Sequence, residues 1–263
     1  MIRFYFLVGT FISSICPTNL PAQQPMVQES MGNCITIQSK QLLGSSYKSG
    51  TLENNTEEIL TYSTNAFDCV TLVEYVLTKT LIECTQKFKS YSFDSLLTAM
   101  RYRNGKILGY GSRLHYFSEW ILQNENFGIL SNITHTFPSL EYEKTINYMS
   151  SNIKKYPKLK DSLDISQVKI SEQKINQKKW YYLPKNTVKT MENQLKNGDI
   201  IAITTSTVGL DISHVGFIVK ENGKTKLLHT SESYGKVIIS RETLSQYLNK
   251  NKKQTGIMVL RVK

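Results

Sequence analysis

Hydrophobic positions change their period once along this chain. From Asp68, apolar residues fall at Cys69, Leu72, Val73 and Val76, the spacing of one helical face. Asp is a preferred helix N-cap, so a helix is predicted from Asp68 to about Cys84. Residues 34–43, 93–102 and 114–123 read as three more helical stretches. Residues 44–47 and 103–106 read as turns, and 54–58 as a polar loop. After Gly198 the apolar residues form short β-rich runs at 199–203, 215–219, 226–230, 237–239 and 257–260. Asn222-Gly223 is a strong two-residue hairpin signal. Residues 142–196 are lysine-rich and poorly periodic, with a short strand expected at 180–183, and read as an insertion or a lid. Helices first and strands afterwards predict an α+β architecture, a helical N-terminal half packed on a C-terminal antiparallel sheet.

The ends and the charge refine this picture. Arg3, an apolar run over 4–16 and Pro21-Ala22-Gln23 have the form of an export signal cleaved near Ala22. The expectation is a signal peptide at 1–22, a leader at 23–39 and one domain over 40–263, exported to the periplasm or cell envelope. The run is too short to span a bilayer, and bulky Ile15 speaks against lipidation at Cys16. Lys and Arg outnumber Asp and Glu by 32 to 21, a net charge of +11. That excess, much of it within 154–160 and 174–179, is either a solvated face or a surface for an acidic polymer. There is no zinc-finger spacing and no RNA-recognition signature, so nucleic acid is not an expected partner. Removing Cys16 leaves Cys34, Cys69 and Cys84, an odd number, so at least one thiol stays free. A Cys34–Cys84 disulfide and two buried thiols both remain open.

The candidate chemistry lies in one cysteine and two histidines. Cys69 stands at a helix start, where the helix dipole favours a thiolate and backbone N–H groups can hold an oxyanion. A buried structural cysteine is the bland alternative. The Asn222-Gly223 turn sets His214 opposite Ser231, so His214 and His229 share one sheet face on a diagonal. His214 is then placed to act as a base and His229 to orient it. Ordinary surface or core histidines are the competing account, and His135 is read as a surface residue. No open cluster of three ligands has usable spacing, so neither a metal nor another cofactor is expected.

Phe67-Asp68-Cys69, Gly198-Asp199-Ile200, Ser213-His214-Val215-Gly216 and Leu228-His229-Thr230-Ser231 together resemble the NlpC-like cell-wall cysteine hydrolases. Residues 44–53, Arg103-Asn104-Gly105-Lys106, 110–116 and Gly209-Leu210-Asp211 resemble their subgroup of N-acetylmuramoyl-L-alanine amidases with large insertions. The resemblance runs from about residue 40 to the C-terminus. It implies a papain-like fold, Cys69 as nucleophile, His214 as base and His229 as orienting residue. It also implies that Tyr47 assists the oxyanion, although Ser46 stands where the family has proline. Arg113, His115, Tyr116 and Asp211 fall in subgroup segments and become candidate substrate contacts, with Arg113 suited to a stem-peptide carboxylate or to a structural salt bridge. The expected activity is hydrolysis of the amide joining N-acetylmuramic acid to L-alanine in muropeptides, with a 1,6-anhydro sugar end as a preference, by a monomer. An endopeptidase cutting after D-glutamate, or a non-catalytic peptidoglycan-binding module, are the alternatives.

Overall fold

The computed structural model describes Met1 and residues 30–263. Residues 2–29, which carry the expected cleavage site and Cys16, lie outside the described residues. The helices are α1 Met31–Lys40, α2 Cys69–Cys84, α3 Phe93–Arg101, α4 Phe117–Asn126, α5 Tyr148–Ser151, α6 Ser162–Gln177, α7 Lys185–Met191 and α8 Leu244–Lys250. The strands are β1 Ser46–Tyr47, β2 Ala66–Phe67, β3 Leu130–Asn132, β4 Leu140–Glu141, β5 Tyr181–Pro184, β6 Ile200–Thr205, β7 Ile212–Glu221, β8 Lys224–Ser231, β9 Lys236–Ile239 and β10 Gln254–Val262. They join one mixed sheet in the order β2-β1-β9-β8-β7-β6-β10-β5-β4, with β3 alongside β10. The β1–β2 pair is parallel and the other pairs are antiparallel. The chain is therefore α+β, built around a large sheet.

Alternation along the strands sorts side chains between two cores. Val215, Phe217, Val219 and Leu228 face a core shared with Leu72, Val73, Val76 and Leu77 of α2. Ile201, Ile203, Ile218 and Leu227 face the opposite way, against Val188 of α7 and Leu244 and Leu248 of α8. Each fully buried aliphatic side chain contributes about 1.5–3 kcal/mol, so the central strands are held from both faces. Because Ile218 and Leu227 point toward α8, period 2 sends Gly216, His214 and His229 to that face too.

Several expectations shift in detail. The expected turn at 44–47 is a turn running into β1, which binds both β2 and β9. The span 142–196 contains the 16-residue helix α6, which its sequence hides. Its buried face carries only Val168 and Ile175 as apolar residues, alongside Ser171 and Glu172. Those two polar groups are answered across the interface: Ser171 Oγ donates to Glu119 at 2.5 Å, and Glu172 accepts from the Tyr116 hydroxyl at 2.7 Å. Helix α8 also went unanticipated. Cys84 carries a free thiol, so the Cys34–Cys84 disulfide does not form.

Helix α2 is fixed to α3 by a buried ion pair, with Arg101 Nε 2.8 Å from Glu74 Oε2. Arg101 also donates to the Thr61 carbonyl. Removing one partner of such a pair leaves an uncompensated buried charge. Glu74→Gln is therefore expected to lower the unfolding free energy by about 3 kcal/mol in urea denaturation. The exposed-pair control Lys179→Gln should leave it unchanged. Equal behaviour of the two variants would show that the pair does not hold α2 in place.

Candidate active site

Asp68 caps α2 through a reciprocal box. Its Oδ1 accepts from Thr71 N at 2.8 Å, while Asp68 N donates to Thr71 Oγ1 at 2.9 Å. This fixes Cys69 as the first helical residue, half-buried at the floor of a cleft. The backbone N–H groups of Val215, Val70 and Cys69 itself favour its thiolate form. Val215, on the strand that carries His214, lines the same cleft as Cys69. The helix N-terminus does not win electrostatically, contrary to the expectation of a stabilised thiolate. Burial, reinforced by the neighbouring Asp68 charge, pushes the Cys69 thiol up to about 12.

The hairpin register is the one the Asn222-Gly223 turn predicts, with Phe217 opposite Leu228 and Ile218 opposite Leu227. His214 Nε2 lies 2.9 Å from His229 Nδ1, and the rings meet edge to face with centroids 4.9 Å apart. Gly216 makes this approach possible: a Cβ there would sit 2.7 Å from the Leu228 carbonyl oxygen and 3.0 Å from His229 Cβ. Burial drives the His214 imidazole down to about 3 and the His229 imidazole down to about 4. Both rings are therefore neutral at physiological pH. His229 Nδ1 is also 2.8 Å from the Thr230 carbonyl oxygen, so one nitrogen serves two competing partners. Bonding to the carbonyl requires it protonated, whereas accepting from His214 Nε2–H requires it bare. Tyr247 of α8 closes over the pair, its ring centroid 5.0 Å from that of His229.

Cys69 and His214 line one cleft of about 230 Å³ together with Arg113, His115 and Asp211. Tyr47 lies opposite Phe67 in the β1–β2 pair. Burial raises its phenol above the usual range, with Glu232, Cys69 and Asp68 adding to the shift. The other candidates are already engaged. The Arg113 guanidinium holds Glu53 at 2.7 Å and Glu58 at 3.4 Å. His115 Nε2 lies 2.8 Å from the Tyr110 carbonyl oxygen, and burial drives its pKa down to about 3. Asp211 accepts from Ser118 N at 2.7 Å, in the first turn of α4. Tyr116 is buried away from the cleft, accepting from Met149 N and donating to Glu172. His135 stands apart, in a short turn at 134–136.

The loop before His214 is tied to 142–196. Gly209 O accepts from Asn147 N and Tyr148 N, each at 3.0 Å, and the Tyr142 hydroxyl donates to the Asp211 carbonyl at 3.1 Å. A Cβ on Gly209 would meet Asn147 Oδ1 at 2.5 Å. Helix α6 reaches the segment before Arg113, where Asp164 Oδ1 accepts from Gly111 N at 2.8 Å. Sequence reasoning missed Tyr247, Glu53 and Glu58, whose roles come only from tertiary neighbours. Among the described residues, no group of three or more His, Cys, Asp or Glu side chains is arranged to hold a metal ion. No described helix is long and apolar enough to cross a membrane.

This geometry has relatives. An N-acetylmuramoyl-L-alanine amidase from Bacteroides uniformis ATCC 8492 is 38% identical, covering 89% of this chain and 99% of its own, with a TM-score of 0.81. A candidate xylanase from Bacteroides fragilis is also 38% identical, over 86% of this chain and 99% of its own, with a TM-score of 0.78. A protein from Legionella pneumophila str. Philadelphia 1 is 25% identical over 89% of each chain, with a TM-score of 0.69. No curated protein matches. Residues 37–257 match the AmiA-like family, described as N-acetylmuramoyl-L-alanine amidase-like, and the chain belongs to that family.

Proposed function

We propose that this protein is an exported cysteine amidase of the NlpC-like, papain-like type. It hydrolyses the amide between N-acetylmuramic acid and L-alanine in peptidoglycan fragments, 1,6-anhydro muropeptides among them. The observation that carries the assignment is the convergence, in one cleft, of a thiol at a helix N-terminus with His214, whose ring is hydrogen-bonded to His229 behind it. Family membership and the amidase name of the B. uniformis relative support the bond chosen.

In this mechanism the thiol starts neutral. His214 Nε2–H donates to His229 Nδ1, which gives up the Thr230 carbonyl, and His214 Nδ1 is left bare as the base. It takes the Cys69 proton as sulfur attacks the lactyl carbonyl carbon. The oxyanion is met by N–H groups at the start of α2, with Tyr47 as a further donor. Collapse breaks the C–N bond, His214 returns its proton to the leaving amine, and the acyl group remains as a Cys69 thioester. Water then attacks, giving a proton to His214, and the thiolate leaves and is reprotonated. A neutral pair suits this route, because proton transfer and attack are coupled and no buried ion pair has to persist in the resting enzyme.

Mass spectrometry of a disaccharide-tetrapeptide muropeptide tests the assignment. Free disaccharide plus intact tetrapeptide is expected, with the rate reduced at least about a thousandfold in Cys69→Ala. A cut within the peptide would move the activity to an endopeptidase, and no cleavage would leave a binding module.

Asp68→Asn keeps the capping acceptor and removes the charge that helps raise the thiol. The thiolate is then less disfavoured, so the pH profile of Cys69 alkylation by iodoacetamide should move to lower pH. Asp68→Ala should do the same while losing about 1 kcal/mol of helix capping. An unmoved profile in Asp68→Asn would show that the carboxylate does not act on the sulfur.

A further inference from the structure

A second cavity, of about 500 Å³, lies on the α8 side of the histidine pair. It is lined by His214, His229, Tyr234, Arg241, Glu242 and Tyr247, among others, but not by Cys69. Resting on the amidase activity proposed above, we infer that this cavity receives the leaving half of the substrate, the stem peptide, and that Arg241 binds a carboxylate of it.

The side follows from the chemistry. The acyl half is bonded to sulfur in the intermediate, so it must occupy space lined by Cys69. The amine half takes its proton from His214, so it must extend past the imidazole. The larger cavity begins where His214 and His229 project from the sheet.

The lining suits a zwitterionic peptide. Arg241 is exposed and makes no ion pair among the described residues. Its guanidinium lies 5.4 Å from the Tyr234 ring centroid, an arrangement that holds the plane in place and leaves its N–H fork free for a carboxylate. Arg113 cannot take that part, because Glu53 and Glu58 already hold it. Lys250 is likewise taken, 2.7 Å from Glu242. Glu232, also on the cavity wall and outside any ion pair among the described residues, offers an acceptor for the ammonium of a diamino acid.

Calorimetry on the Cys69→Ala protein tests this without turnover. The probes are the tetrapeptide L-Ala-γ-D-Glu-diamino acid-D-Ala, the same peptide with its carboxyl groups amidated, and N-acetylmuramic acid. Adding Arg241→Gln should weaken the tetrapeptide tenfold or more. It should hardly change the amidated peptide, which already binds weakly, and should leave N-acetylmuramic acid unaffected. Equal tetrapeptide affinity with and without Arg241, or no tetrapeptide binding at all, would overturn the inference. So would a loss confined to N-acetylmuramic acid, which would put the sugar half in this cavity. Failure of the amidase assignment appears separately, as missing cleavage by the wild-type protein.

Discussion

The start of α2 is seated on β7, where Val215 and Phe217 pack against the helix and Cys69, Val215 and His214 line one cleft. The rest of the site depends on that contact. It requires Asp68 to end the extended segment and start the helix at one defined residue. It requires the odd positions of β7 to be apolar, so that Val215 and Phe217 seat the helix while His214 faces the other way. It also requires α2 to stay where it is, and the buried Glu74–Arg101 pair fixes its flank to α3. A helix displaced by a fraction of a turn would carry the thiol out of the cleft that His214 lines.

The same burial that defines the site sets its electrostatics. Cys69 is driven upward, and His214, His229 and His115 downward, so the thiol and these three imidazoles are held uncharged. Desolvation outweighs the backbone N–H groups here because those act through partial charges, whereas burial strips hydration from a whole negative charge. Under the proposed mechanism the resting arrangement stores the proton on sulfur, and the imidazole pair moves it when substrate arrives. In that proposal the shared His229 Nδ1, caught between His214 and the Thr230 carbonyl, is where the movement is controlled.

Much of this was legible in the sequence because it rests on local patterns. The Asp68 cap, the 3.6 spacing through Val76 and the Asn222-Gly223 turn are short-range signals, and the structure follows each within a residue or two. What stayed hidden is tertiary. Helix α6 buries Ser171 and Glu172, which look exposed until Glu119 and Tyr116 are seen opposite them. Arg113 looked equally suited to a ligand carboxylate and to a salt bridge, and only the fold brings up Glu53 and Glu58, some sixty residues away in sequence. Nothing near Tyr116 announced that it would be buried against α6. The 142–196 span looked detachable, yet it holds the loops that lead into His214 and Arg113.

In the proposed reaction the acyl half of a muropeptide passes through a thioester on Cys69. Acid-quenched intact-protein mass spectrometry during turnover, followed by peptide mapping, measures this directly. An adduct with the mass of the sugar-lactyl half, located on the peptide containing Cys69, is the predicted result. Undiminished muropeptide cleavage by Cys69→Ala, with no adduct on the wild-type protein, would contradict it.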